Sequence, residues 1–323
     1  MAWTRIATTR SWILIGLVVS GCTGASSVVD WDQVAPAAPM AFASFDLPSE
    51  LDGPPVSLAG ASDAETATAA LHMLYESGDP RADAEQDGGA LLVNPGYVVR
   101  MHHKWRTPAW TLHRLTPEQI APRSSTLDTP GRFETDRRVP DNLRSSHGDY
   151  SNSGFDRGHM VPSADFQQDG TLKDATYVTT NITPMTPELN QGVWADIECF
   201  VRRLVRSESS PAYVVTGAVH SSNRSRGISR RKLGTAQAFY KIIVLPSASD
   251  APPRLWALLV PHQHGYGDAP LTRFVTTVDA IEAVTGEDFL ERIPDANELP
   301  LESTLDPDPD WLRGSCSEPK ADS

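Results

Sequence analysis

Two stretches decide how this chain reads. The first is Asp149-Tyr-Ser-Asn-Ser-Gly-Phe-Asp-Arg-Gly-His-Met160. The second is Thr180-Asn-Ile-Thr-Pro-Met-Thr-Pro-Glu-Leu-Asn-Gln-Gly-Val-Trp194, which runs on to Glu198. Arg157 and His159 are two apart, so an extended backbone puts both on one face. A guanidinium beside an imidazole suits a phosphate ester: the first binds the anion and the second moves a proton. Asn190 and Glu198 are eight apart. On one helix at about 100° per residue they lie about 80° from alignment, so both can address a site two turns long. An amide carbonyl and a carboxylate are hard oxygen donors for Mg²⁺ or its water shell. Taken singly, His159 also reads as a packed core histidine and Asn190 as a helix-capping residue. The four together favour a site.

At these residues a resemblance becomes specific. Phe155-Asp-Arg-Gly-His159-Met160 resembles the DRGH signature of the DNA/RNA non-specific endonucleases, members of the ββα-metal nuclease superfamily. Asn181-Ile-Thr-Pro184, followed by Leu189-Asn-Gln-Gly192, Trp194 and Glu198, is similar to that family's metal-ligand helix. The likeness continues in order through Trp110–Thr116, Phe133–Asp136, Tyr213–Gly217, Phe239–Ile243 and Val278–Phe289, covering roughly residues 95–295. It implies an α+β fold: a ββα-metal core with a central, mainly antiparallel sheet flanked by helices. It also implies a sugar-non-specific endonuclease that hydrolyses phosphodiester bonds of DNA and RNA. In that frame His159 is the general base, and Asn190 is the one direct protein ligand of a single Mg²⁺, with Mn²⁺ as an alternative ion. Glu198 holds metal-bound water. Arg157 contacts phosphate, Asp156 orients the loop and Asn181 supports the site. The family also uses an upstream arginine, for which Arg132 is the nearest candidate and Arg123 the alternative. No core motif position is substituted.

The rest of the chain sorts around this centre. Tyr97–Met101 and Ala109–Leu115 read as a hairpin. Thr116-Pro-Glu-Gln119 is a capping-box start that predicts a short helix. Tyr177–Thr180 predicts a strand. Val193, Ile197, Phe200, Val201 and Leu204 mark one long helix over Leu189–Val205. Tyr213–Val219, Phe239–Leu245 and Leu255–Val260 are β-rich, and Val278–Val284 is a helix that Gly286 caps in the left-handed conformation. Strands cluster without βαβ alternation, which independently gives α+β.

The 323 residues carry a formal charge of -13, but the charge is uneven. Residues 23–90 hold -11 and residues 287–323 hold -8, whereas residues 91–286 are mildly basic at +4. The acidic balance therefore does not exclude a polyanionic partner for the middle of the chain. With 40% hydrophobic residues the composition excludes a multi-span membrane protein and a wholly disordered chain. Residues 1–22 read as an export signal: Arg5 and Arg10, then the apolar run Trp12–Val19, too short to span a bilayer. Val19-Ser-Gly-Cys22 resembles the bacterial lipobox, which implies cleavage before Cys22 and lipid attachment to it. Thr23 in the next position points to the outer membrane or cell surface. Residues 23–90 then read as an acidic flexible tether with one short helix near Thr68–Tyr75, 91–300 as the endonuclease domain and 301–323 as an acidic tail. Cys199 and Cys316 are either one disulfide or two free thiols.

Substrate binding rests on arginines. Arg202, Arg203 and Arg206 lie on the long helix, and Arg224, Arg226, Arg230, Arg231 and Lys232 fall in one acid-free stretch. Such groups suit phosphate backbones and carry no base-reading logic. The expected partners are DNA and RNA, the membrane through Cys22, and a second copy in a homodimer. His262 and His264 read as surface residues, as do His102 and His103. The competing class is a surface lipoprotein that uses the same fold to bind nucleic acid or a partner without catalysis.

Overall fold

The run Ala238–Leu245 is apolar at every position but Lys241 and buried throughout, as in a strand covered on both faces. The computed structural model describes residues 91–102, 104–121, 131–220, 227–229, 233–246, 253–290 and 300–305. In chain order its elements are strands β1 (Leu91–Asn94), β2 (Tyr97–His102), β3 (Thr107–Leu115) and β4 (Asp156–His159), then helix α1 (Gly170–Ala175) and β5 (Ile182–Met185). Helices α2 (Pro187–Gln191) and α3 (Val193–Glu208) follow, then β6 (Ala212–Val219), β7 (Gly227–Ile228), β8 (Leu233–Gly234), β9 (Ala238–Leu245), β10 (Arg254–Pro261), β11 (Val275–Thr276) and α4 (Val278–Thr285).

Seven strands form one sheet in the order β1-β2-β3-β6-β9-β10-β11, antiparallel at every pairing. Alternate residues feed two cores. Leu115, Val214, Phe239, Ile243, Trp256 and Val260 meet Val193, Trp194, Ile197, Phe200, Val201 and Leu204 of α3. Val98, Leu112, Val215, Tyr240, Ile242 and Leu259 meet Val278 and Ile281 of α4 together with Phe289 on the opposite face. Each large apolar side chain so buried contributes about 1.5–3 kcal/mol, and this packing holds α3 in place more than helix propensity does. The α+β expectation holds, with helices on both faces of an antiparallel sheet.

Three local expectations are corrected. The capping box at Thr116 forms, with Thr116 N–H donating to Gln119 Oε1 at 2.8 Å, but it closes only a turn that ends by Ala121. Residues 177–180 contribute a single parallel bridge, Glu134 to Val178, and then a 3-10 turn at Thr179–Asn181. The long helix is two helices. Gly192 breaks it with φ -105° and ψ -118°, and a Cβ there would strike the Gly267 carbonyl and lie 2.5 Å from the Glu188 carbonyl. Gly286 caps α4 at φ 75°, as its residue type requires.

Cys199 is disulfide-bonded; Cys316 lies outside the described residues. So do the export signal, Cys22, the tether with its predicted helix, Arg123 and residues 306–323 of the tail. Among the described residues no helix is long and apolar enough to cross a membrane.

Candidate active site

Beside the large sheet, β4 and β5 form a separate two-stranded ladder that pairs Asp156 with Met185 and His159 with Ile182. The chain then turns directly into α2, so the two quoted stretches fold into one strand-strand-helix unit. Gly158 has no freedom to be larger: a Cβ would lie 2.5 Å from the Met185 sulfur on the partner strand.

The unit joins its two ends through Asp156. Its Oδ2 accepts from Asn190 Nδ2 at 3.1 Å and from Gln191 Nε2 at 2.9 Å. The amide nitrogen of Asn190 is thereby committed, which leaves Oδ1 as its outward acceptor. Helix α2 is fixed from behind. The Thr186 side chain caps it by accepting from Leu189 N–H, and Thr186 N–H donates to His262 Nε2 at 2.9 Å. His262 Nδ1 lies 2.9 Å from the Ala236 carbonyl, so it is the protonated nitrogen of a neutral ring. Burial holds the pKa of His262 below its ordinary value. His262 is therefore a half-buried buttress rather than the surface residue expected, while His264 pairs with Glu188 at the surface.

His159 is half-buried on β4, and its Nε2 is enclosed without a hydrogen-bond partner. Two rings lie against the imidazole, Phe133 at 5.4 Å and Tyr177 at 5.0 Å between centroids. Burial pushes its pKa down to about 4, so the imidazole is neutral at neutral pH. The Arg157 guanidinium lies 5.4 Å from the Phe133 centroid, and its Nη2 is 3.4 Å from His147 Nε2. Partial burial and then the charges of Arg157 and Arg132 hold His147 below its usual pKa, which puts exposed Arg132 in the same electropositive patch. Asn181 is fully buried and fully used. Its Oδ1 accepts from Val161 N–H, and its Nδ2 donates to the carbonyls of Val161 and Thr176. It clamps the backbone just past His159 and touches no reacting group.

Glu198 lies on α3, across the break from Asn190, in a buried ionic cluster between α3 and the sheet. Lys241, 1% exposed, donates to Thr216 Oγ1 at 2.7 Å and sits 4.8 Å over the Trp194 ring. Asp165 accepts from Arg202 at 2.9 Å and contacts His113 at 3.0 Å. Burial raises the Glu198 carboxyl to about 7 against the opposing pull of Lys241 and Arg202. The assignment of Arg202 to substrate is corrected: at 4% exposure its guanidinium is engaged with Asp165 and is not presented to solvent. Arg206 is exposed and donates to the Ile120 carbonyl. It sits thirteen residues into α3, about 20 Å along the axis from the end next to Asn190. Arg230, Arg231 and Lys232 lie outside the described residues, but the strands on either side of them are held at the site. Ser229 donates to Asp149 Oδ1 at 2.8 Å, and Leu233 packs on Tyr150 and Ile182.

Sequence reasoning passed over Lys241 and Tyr177. Lys241 stands in an otherwise apolar strand, and that anomaly was its readable signal. Tyr177 carried none, because its place is set by a bridge to a distant segment.

The sequence pattern of the DNA/RNA non-specific endonucleases matches residues 81–296 of this chain. The mitochondrial nuclease of Saccharomyces cerevisiae is 29% identical over 222 residues, 64% of this chain and 67% of that protein. Nuclease C1 of Cunninghamella echinulata is 27% identical over 229 residues, 68% of this chain and 88% of that one. A crystal structure of the EndoG/EndoGI complex superposes on this fold with a TM-score of 0.59 at 26% identity, covering 64% of this chain and 88% of that chain.

Proposed function

The chain belongs to the DNA/RNA non-specific endonuclease family and is an endonuclease, and from that premise we propose that it hydrolyses phosphodiester bonds with His159 as general base and a divalent cation at Asn190. The observation that carries this reading is the Asp156–Asn190 hydrogen bond, which turns one carbonyl oxygen outward on the unit that also bears an enclosed, neutral histidine.

The residues fit a hard cation. The acceptor is an amide oxygen whose nitrogen is held by a carboxylate, and that hard donor chemistry suits Mg²⁺ better than zinc. When bound, the cation supplies charge neutralisation at the phosphate and the leaving oxygen. Glu198 serves as an acceptor for water in the cation's shell.

With Nε2 enclosed, Nδ1 is the nitrogen of His159 that takes a proton. It receives one from a water whose oxygen attacks phosphorus in line with the departing 3′-oxygen. The new P–O bond forms as the P–O3′ bond breaks, and the leaving oxygen is protonated from solvent. Arg157 binds a non-bridging oxygen, with its guanidinium braced on Phe133. Arg132 adds charge at the rim. Arg230, Arg231 and Lys232, between β7 and β8 in sequence, supply cations for the phosphate backbone. Sequence-independent cleavage follows from contacts confined to backbone charge. The lipobox-like run supports export and anchoring at Cys22, which would keep this activity away from the genome that encodes it.

The test is the full-length protein incubated with plasmid DNA and with RNA, in Mg²⁺ or EDTA. Cleavage of both polymers that EDTA abolishes is expected. His159→Ala should lose turnover and keep metal affinity, whereas Asn190→Ala should lose both. Retained binding without cleavage in the unmodified chain would replace this reading by the non-catalytic one.

A further inference from the structure

A general-base histidine is ordinarily oriented by a hydrogen bond from its second nitrogen to a carboxylate or carbonyl. His159 has none: Nε2 is buried and unpartnered. What lies against the imidazole is aromatic. Phe133 meets it tilted at 39°, and Tyr177 stands nearly perpendicular to it at 83°. Phe133 and Tyr177 also meet each other at 5.1 Å and 66°, so the three rings form a closed set.

Both rings are themselves fixed. The Tyr177 hydroxyl donates to Ser163 Oγ at 3.1 Å. Glu134 N–H donates to the Tyr177 carbonyl at 2.8 Å, and Thr179 N–H to the Glu134 carbonyl at 2.9 Å, which ties the two segments together. Gly131 lies flat against the Tyr177 ring, where a Cβ would overlap it. Phe133 also carries the Arg157 guanidinium, 5.4 Å from its centroid.

We propose that Phe133 and Tyr177 are positioning residues for His159: the two rings take the place of a hydrogen-bonding partner, enclose Nε2 and leave Nδ1 as the basic nitrogen. The aromatic faces carry partial negative charge and tolerate an N–H edge, which keeps the proton on Nε2 at lower cost than a wholly aliphatic wall would. They also exclude water from one side of the ring, which is why the imidazolium form is disfavoured. Among the described residues, the charged and titratable groups near the set are these, with Glu134 next to Phe133 in the bridge to Val178. Arg157 and Asp156 share His159's own strand, and Asp156 is turned to Asn190. His147 and Arg132 lie beyond Phe133. The Tyr177 phenol is held by Ser163, and β5 presents Ile182 opposite His159. None of these puts a carboxylate against the imidazole. The inference rests on His159 being the base, and its test separates the two claims.

The experiment uses full-length protein carrying ¹⁵N-labelled histidine, with Tyr177→Phe, Tyr177→Leu, Phe133→Tyr and Phe133→Leu compared with wild type. The ring ¹⁵N shifts report tautomer and pKa, and kcat/KM on plasmid DNA is followed from pH 4.5 to 8.5. Tyr177→Phe and Phe133→Tyr keep both rings and should keep the wild-type titration. Either leucine variant should raise the pKa of His159 by at least one unit, mix its tautomers, and carry the acid limb of kcat/KM upward by the same amount. For a one-unit rise, activity should then fall about twofold more at pH 5 than at pH 8, and for a two-unit rise about tenfold more. An unmoved His159 titration in both leucine variants overturns the proposal, whatever the activity does. A moved titration with an unmoved acid limb upholds the ring set and sinks the base assignment instead.

Discussion

Replacing Asp156 with alanine should weaken metal binding by about 30- to 100-fold without unfolding the protein. The carboxylate accepts from Asn190 at 3.1 Å and from Gln191 at 2.9 Å, and both donors are partly solvated. A hydrogen bond to a charged group contributes about 1.5–3 kcal/mol, and partial exposure places this one near the lower bound. Released, the Asn190 side chain regains rotamer freedom that costs about 0.5–1.5 kcal/mol to remove again on binding. The two add to about 2–3 kcal/mol, and at 1.4 kcal/mol per tenfold this is the range usual for groups that orient a metal ligand. Asp156→Asn keeps a neutral acceptor and should lose only about 3- to 10-fold. The assay is initial rate of plasmid cleavage against Mg²⁺ concentration, with melting temperature as control. The reasoning fails if half-saturating Mg²⁺ stays within twofold of wild type while kcat collapses. Asp156 would then act on the reaction rather than through Asn190.

Gly192→Ala should cost about 1–3 kcal/mol and raise half-saturating Mg²⁺, because its methyl group meets the Gly267 and Glu188 carbonyls and must displace α2; thermal melting and a metal titration read both. Arg202→Ala should destabilise by about 3–5 kcal/mol, since it strips the buried Asp165 of a charge partner, and should leave the salt dependence of DNA binding unchanged. Neutralising Arg230, Arg231 and Lys232 together should do the reverse, lowering the slope of log K against log salt by about one per lost phosphate contact at unchanged stability. Burial raises the Glu282 carboxyl to about 7. The folded state therefore binds the proton more tightly than the unfolded state does, and stability from this group declines as pH rises from about 4.5 through 7. Glu282→Gln can still accept from Phe289 N–H and should flatten that decline in a melting series from pH 5 to 8.

Much of the architecture was legible before any coordinates, for local reasons. The hairpin β2–β3 and the strands β6, β9 and β10 were readable as β-rich runs. The end of α4 was marked by Gly286, the residue that a left-handed cap favours. Arg157, His159, Asn190 and Glu198 were singled out by residue type and spacing, and the strand-strand-helix unit brings the first three onto neighbouring elements. Spacing reports only which residues share a face, however, and not what arrives opposite that face. Apolar periodicity across Leu189–Val205 continues unbroken through Gly192, and only the close approach of Gly267 requires the chain to break there. Arg202 looks like any helix-surface cation until Asp165, thirty-seven residues away, is folded against it. His262 becomes a buttress because Thr186 N–H and the Ala236 carbonyl arrive on either side of its ring. The environment of His159 is likewise tertiary, since Phe133 and Tyr177 reach it through one bridge between remote segments. Hydrophobic pattern and turn chemistry thus determined the elements. Long-range packing decided which polar groups are used within the fold and which remain available for chemistry, because burial and pairing depend on neighbours that no local window contains.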